Sequence, residues 1–379
     1  MGEQGRGKID PLTPPMKIKV AIERIPGGLM LVPLLLGATL NTLDQMHLSW
    51  IEATLRVLGA SPARNGHYEF LRLGAVAAEG VPSFAESLFK TGALTLIALF
   101  LFCVGSQMTL KIGARSLGKG ALLTGTKFIA GTLTGFVIGR LSDPFHGFLG
   151  LSTLAIVAAM TNGNGGLFAA LTGQYGNRSD VGALSVLSLN DGPFLTMIAL
   201  GLLGERFPIV VFLGVLLPLA AGMLLGNLDA DIRDFFKPGE RLLVPFFAFA
   251  LGANMNLAVF FQWQFLLGGV ALGLMTLCIT GGAMWLALGL AGFRSRITAF
   301  AEASAAGNAT ATPAAIAAAA AASGSPNAAA YQDIVGVATA QISIAVILTA
   351  LLCPVAVMAA NRWQRDRGID GTAEELPRP

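Results

Sequence analysis

Charge is what this sequence has least of. Of its 379 residues, 12% are Asp, Glu, Lys or Arg and 54% are hydrophobic, with a mean hydropathy of +0.67. A soluble domain carries about 25% charged residues, so a chain with half that supply does not cover a water-facing surface. The net charge of +3 is modest and sits in loops, so no nucleic-acid partner is expected. Histidine is also scarce. His47, His67 and His146 fall in expected loops without metal-ligand spacing, so neither a metal centre nor a catalytic constellation is predicted, and no cofactor. The three cysteines, Cys103, Cys278 and Cys353, lie inside apolar runs. They read as small buried hydrophobes, because disulfide and zinc frameworks need spacings absent here.

What the chain does have is long uncharged stretches. None of the residues from Phe207 to Asn227 or from Trp263 to Gly292 is charged, and runs of about 20 apolar residues match a hydrocarbon core ~30 Å thick. Ten spans are predicted, near 28–44, 92–110, 120–140, 148–171, 182–204, 207–226, 242–261, 265–291, 298–322 and 334–360. Residues 1–15 are polar and precede a second methionine, Met16. They read as an extension or as an alternative start, and no small-residue cleavage site follows the lead from Met16. The segment 1–27 is expected on the cytoplasmic side, as is the tail 361–379. The connection 45–91, amphipathic around Leu48–Leu58, reads as a periplasmic insertion with a short interfacial helix. With both termini inside, 18 Lys and Arg fall on the cytoplasmic side and 6 on the other, the asymmetry that sets orientation.

The spans repeat. Phe102-Cys-Val-Gly-Ser-Gln-Met-Thr-Leu110 in the second and Phe249-Ala-Leu-Gly-Ala-Asn-Met-Asn-Leu257 in the seventh share the pattern F-x-x-G-x-(N/Q)-M-x-L. Each belongs to the second span of a five-span half, 28–204 or 205–360. An odd number of spans per half inverts the second half relative to the first. The expected fold is therefore all-α and integral to the membrane, with ten helices in two inverted five-helix repeats, an architecture of secondary transporters. The fourth spans of the halves correspond too. Thr161-Asn-Gly-Asn-Gly-Gly166 and Ala306-Gly-Asn-Ala-Thr-Ala-Thr-Pro313 put helix breakers at membrane depth, which persist where protein or a watery cavity surrounds them. Either these are kinks for close packing, or a half-helix starts after each break, at Asn164-Gly165-Gly166 and at Thr312-Pro313 with Thr312 as N-cap. In the second case the free N–H groups and the positive dipole ends suit an anion.

Polar residues inside spans are the remaining candidates. Asn162, Asn164, Gly165, Gly166, Asn308, Thr310 and Thr312 line the two breaks. Gln107 and Asn254 supply neutral groups for hydroxyls or for interhelical hydrogen bonds. Asp191, in Asn190-Asp-Gly-Pro193, is a buried carboxylate suited to proton coupling, to a substrate hydroxyl, or to capping the turn before Pro193. Glu302 has either a functional place or one near the cytoplasmic interface. Lys127 either pairs with a carboxylate or meets an anion.

The opening MKIKVAIERIPGG from Met16, the stretch Asn164–Gly176, Asn190-Asp-Gly-Pro193 and Gly307-Asn-Ala-Thr-Ala-Thr-Pro313 together resemble the 2-keto-3-deoxygluconate permease family, from about Met16 to Arg365. The 45–91 connection is longer than expected for that family, and 1–15 is additional. The resemblance implies a bacterial inner-membrane symporter that takes up this keto-sugar acid with protons. It also implies a fold akin to the bile-acid/sodium symporters, in which spans 4 and 9 are broken and cross in a core that moves against a panel of spans 1, 2, 6 and 7. A sodium-coupled organic-anion symporter of the same fold is the alternative, with Asn164, Glu302 and Gln341 as candidate oxygen donors. A membrane enzyme lacks a catalytic constellation here. A receptor-like protein leaves the paired breaks unexplained.

Overall fold

The computed structural model describes residues 17–25, 28–63, 66–74, 82–108, 114–187, 190, 192–205 and 207–373. The first fifteen residues and Asp191 lie outside them. The described residues are helical throughout their regular structure, with no strand among them. The first part of the chain forms α1 (Ile18–Glu23), α2 (Gly28–Gln45), α3 (Ser49–Val57), α4 (Phe84–Phe89), α5 (Ala93–Gln107), α6 (Ala114–Leu141), α7 (Thr153–Thr161), α8 (Gly165–Tyr175), α9 (Arg178–Gly182), α10 (Leu184–Leu187) and α11 (Phe194–Leu202). Then follow α12 (Ile209–Leu228), α13 (Ala230–Phe236), α14 (Gly239–Gly252), α15 (Trp263–Met275), α16 (Gly281–Leu290), α17 (Ile297–Glu302), α18 (Thr312–Ala322) and α19 (Ala328–Arg365).

Helices lie within each of the ten apolar runs, yet they differ in kind. Arg115–Leu141, Thr153–Tyr175, Trp263–Leu290 and Ala328–Arg365 are long and apolar enough to cross a membrane. A fifth candidate is α2 with α3, bent by 92°. Ala93–Gln107, Leu216–Leu228 and Arg241–Gly252 are shorter apolar helices. The runs at 182–204 and 298–322 are each divided between two helices. Outward-facing Leu99, Ile129, Leu133, Leu217, Leu286 and Val355 are exposed, as lipid-facing side chains are.

Packing sorts the helices into two bundles. In the first, α2, α5 and α14 share one apolar cluster with Leu219 and Met223 of α12. Here backbones touch. A Cβ on Gly37 would lie 2.2 Å from the Phe249 carbonyl oxygen, and one on Gly252 2.0 Å from that of Leu34. A Cβ on Gly105 would lie 2.1 Å from the Leu219 carbonyl oxygen, and one on Gly222 2.0 Å from that of Phe102. The amide of Asn41 donates to the Met255 carbonyl (3.0 Å), and that of Asn227 to the Met108 carbonyl (2.7 Å). Thus α2 with α14 and α12 with α5 are joined by the same devices, small residues that let helices close up and amides that bond across. The residues involved include Phe, Gly and Met of both copies of the nine-residue motif. The second bundle holds α6 to α11 and α15 to α19, around three further clusters.

The described residues of the 45–91 connection fold onto the end of α2. Its amphipathic stretch forms α3, with Leu55 turned inward. The Asp44 carboxylate accepts the backbone N–H groups of Phe70 (2.8 Å) and Leu71 (3.1 Å). Ion pairs Lys90–Glu69 (2.7 Å) and Arg72–Glu86 (3.1 Å) tie residues 69–72 to residues 86–90. Lys119 is fully buried in α6 and paired with Asp180, which also completes a capping box with Asn177.

Candidate functional site

The two broken spans lie against each other in the second bundle. The first break is short. Helix α7 ends at Thr161, whose hydroxyl and the Asn162 amide donate back to the carbonyls of Val157 and Ala158 (both 2.8 Å). After Gly163, the side chain of Asn164 caps α8 by accepting the Leu167 N–H (3.0 Å). The second break is longer. Helix α17 ends at Glu302, residues 303–306 are non-helical, and a 3₁₀ turn Gly307–Ala311 leads into α18. The expected capping by Thr312 is corrected here. Ala311 is the N-cap, Thr312 is the first helical residue beside Pro313, and the Thr312 hydroxyl is buried without a hydrogen-bond partner among the described residues. The 3₁₀ turn has taken over the start of the helix, so no threonine side chain is needed there.

Lys127, from the unbroken α6, bridges the second break. Its ammonium donates to the carbonyls of Glu302 (2.6 Å) and Ser304 (2.9 Å) and to Oε1 of Glu302 (3.1 Å). Broken helices leave carbonyls without partners, and a cation at a helix C-terminus satisfies them and the dipole together. Asn190 donates to the same Oε1 (3.1 Å), while Oε2 of Glu302 has no partner among the described residues. Lys127 and Glu302 are both 0% exposed. Glu302 is therefore packed between the two breaks and closed off from solvent. The breaks are sewn together where the Asn164 N–H donates to the Ser304 hydroxyl (3.1 Å). Gly163 makes this approach possible, because a Cβ there would lie 2.0 Å from Oε1 of Glu302. By contrast, a Cβ on Gly165 meets only Cδ1 of Leu184, at 3.3 Å, and one on Gly166 only the Asn164 side chain at 3.6 Å.

Helix α19 backs the second break. The Thr349 hydroxyl accepts the Ala305 N–H (3.0 Å), and the Thr339 hydroxyl donates to the Thr310 carbonyl (3.3 Å). The hydroxyl of Thr310 donates to the carbonyl of Gly307 (2.6 Å), and Asn308 stands in the same turn. Met30 of α2 approaches Gly307 from the first bundle, its Cβ 3.9 Å from where a Cβ would stand, so the seam between bundles runs beside the second break. Asp191 lies outside the described residues, next to Asn190. Gln107 and Asn254 are not at the crossing. Gln107 donates to the Arg233 carbonyl (2.8 Å), and Asn254 to those of Lys90 (2.7 Å) and Ala250 (2.8 Å), all in the first bundle and its flanking segments. Gly163, Asn190 and Ser304 were missed. Gly163 and Asn190 stand within motifs already singled out, whereas Ser304 carries no sequence signal. A cavity of about 300 Å³ opens elsewhere, lined by Arg140, Thr153, Glu205, Asn327 and Tyr331. None of these residues belongs to the two breaks, whose chemistry rests on contacts and not on open volume.

Residues 75–366 match the family described as 2-keto-3-deoxygluconate permease. The 2-keto-3-deoxygluconate permease 1 of Salmonella typhimurium is 42% identical over 346 residues, 90% of this chain and 94% of the relative. Permeases of that substrate from Tolumonas auensis and Escherichia coli are each 36% identical, over 90% and 92% of this chain and 91% and 95% of theirs. Among solved structures, a sodium proton antiporter from Methanocaldococcus jannaschii superposes with a TM-score of 0.54, covering 92% of this chain and all of that one at 15% identity. That likeness concerns the fold alone. Relatives named as permeases are transporters and not enzymes, and with its apolar helices this multi-pass membrane protein belongs to the 2-keto-3-deoxygluconate permease family.

Proposed function

We propose that this protein takes up 2-keto-3-deoxygluconate, a keto-sugar acid anion, with protons across the bacterial inner membrane by alternating access. The observation that carries the reading is the Lys127–Glu302 pair, with Asn190, buried where two interrupted helices meet. Buried charges in a membrane bundle are costly and mark ion or substrate paths. In this reading Glu302, Lys127 and Asp191 handle the coupling ion. The N-terminus of α8 and the 3₁₀ start of α18 face the carboxylate, whose charge suits the dipole ends. Asn162, Asn164, Gly165, Gly166, Asn308, Thr310 and Thr312 surround it, and side-chain amides and hydroxyls meet the sugar hydroxyls. Gln107 and Asn254 hold the first bundle together instead.

The architecture we infer is ten spans in two inverted repeats, 28–204 and 205–360, with both termini cytoplasmic and 45–91 periplasmic. Its support is the matched joining of α2 with α14 and of α12 with α5, each through a proline-glycine helix (Pro33 and Gly37, Pro218 and Gly222) and one copy of the nine-residue motif. The first bundle acts as the panel and the second as the moving core.

A sodium-coupled reading has its own support. Glu302 Oε2, Asn162 Oδ1, Thr312 Oγ1 and Gln341 Oε1 are buried oxygens without hydrogen-bond partners among the described residues, and such acceptors suit a cation. Uptake of labelled 2-keto-3-deoxygluconate into proteoliposomes decides between the two. Concentrative uptake in sodium-free buffer under an imposed pH gradient, abolished by a protonophore, is expected. Uptake that needs sodium and ignores the pH gradient overturns proton coupling.

A further inference from the structure

The spacing of His47, Glu52 and His67 matches no metal motif, yet the fold collects them. His47 follows the end of α2, held at φ 48°. Glu52 stands in the first turn of α3. His67 comes from the segment after α3. The two imidazoles stack with centroids 3.6 Å apart. Nδ1 of His67 and Nδ1 of His47 lie 2.8 and 3.7 Å from the same Oε1 of Glu52. One ligand atom from each residue falls within 4.8 Å of the others. All three side chains are partly open to solvent, with exposures of 35%, 22% and 43% for His47, Glu52 and His67, so an ion has a path in.

We propose that His47, Glu52 and His67 form a binding site for a divalent transition-metal ion of the zinc type, in the 45–91 insertion and apart from the crossing. Two imidazoles and one carboxylate are a zinc-type donor set, with water completing a tetrahedron. Zinc–ligand bonds of about 2.0–2.2 Å place ligand atoms no more than ~4.4 Å apart, so a small rotation of the rings brings the present arrangement onto an ion. Binding takes neutral imidazole and ionised carboxylate, and any proton held between Glu52 and an imidazole is released to water. Magnesium and calcium prefer all-oxygen cages and are not expected to compete. The ion would join the end of α2, α3 and the following segment. Its effect is therefore to hold the insertion down where Asp44 already binds Phe70 and Leu71.

The test uses the full chain in nanodiscs, purified without a polyhistidine tag, titrated with zinc against a chromogenic chelator. One zinc per chain is expected, with a rise in melting temperature. His67→Ala, and His47→Ala with Glu52→Gln, should each weaken binding by at least ~10-fold and lose the rise, since a lost ligand costs no less than a lost outer-shell partner. Transport by these variants in metal-free buffer serves as the check on folding. X-ray absorption on the zinc-loaded wild type should show two imidazole ligands, which keeps the test open if a variant misfolds. Equal binding by wild type and variants, equal binding of magnesium, or a spectrum without imidazole overturns the site. None of these results depends on which ion drives transport.

Discussion

The two bundles solve the same problem in opposite ways. In the first, α2, α5, α12 and α14 bring backbones together through Gly37, Gly105, Gly222 and Gly252 and spend their polar side chains on carbonyls. In the second, helices are interrupted, and the freed backbone is satisfied by Lys127, Asn164 and Thr349. The buried ion pairs Lys119–Asp180 and Lys127–Glu302 both belong to the second. A bundle closed by glycine contacts has one good packing. A bundle held by side chains that reach across breaks has polar groups available for a ligand or an ion. In the mechanism proposed above, the first bundle is the frame and the second the working part.

The largest expected effect comes from breaking the pair at the crossing. Lys127→Met leaves Glu302 buried without its cation, and losing one partner of a buried pair costs ~3–5 kcal/mol. Uptake should be lost and the melting temperature should fall. Glu302→Gln should also abolish concentrative uptake, while the double variant should be more stable than Lys127→Met alone, because the orphaned charge is gone. If the single and double losses simply add, the two side chains are not coupled.

Gly163→Ala comes next. Its methyl meets Glu302 Oε1 at 2.0 Å, and overpacking of this kind costs ~1–3 kcal/mol. Transport should suffer more than stability does, since the disturbed contact is the one between the two breaks. Gly165→Val, against only Leu184, should be milder in the same uptake assay. The reverse order would move the close approach away from Gly163.

Gly105→Val and Gly252→Val probe the frame, where ~1–3 kcal/mol is again expected. Both should lower thermal stability by similar amounts and leave substrate affinity unchanged in the protein that remains folded. Markedly unequal losses would argue against equivalence of the two helix pairs.

The smallest effects sharpen the contrast between the breaks. Asn164→Ala removes a working cap, worth about 1 kcal/mol. Thr312→Ala removes a hydroxyl with no partner among the described residues and should be close to neutral in a melting experiment, although substrate affinity should fall if that hydroxyl meets the ligand.

The helical class, the apolar runs, the motif pair and the places of both breaks were legible in the sequence, because each rests on composition or on local helix chemistry. Asn164 is such a case, since a residue caps the helix that starts directly after it. Thr312 shows the limit of the same logic, as a 3₁₀ turn upstream displaced it from the cap. Partners were not legible. Nothing local says that Lys127 meets Glu302, that Asn190 joins them, or that Gly163 and not Gly165 is the point of closest approach. Gln107 and Asn254 suited sugar hydroxyls or interhelical hydrogen bonds alike, and only the structure shows their amides donating to carbonyls of the first bundle and its flanking segments.

The sequence by itself determined that this chain is a helical membrane protein whose helices break at two marked places, because the hydrophobic effect and backbone hydrogen bonding act on neighbouring residues. Only the tertiary structure decided which charges are buried together and which glycines touch another backbone, and it alone gathered His47, Glu52 and His67 into one cluster. Those contacts join residues far apart in the chain, and their energies depend on distance and burial, which no stretch of sequence specifies alone.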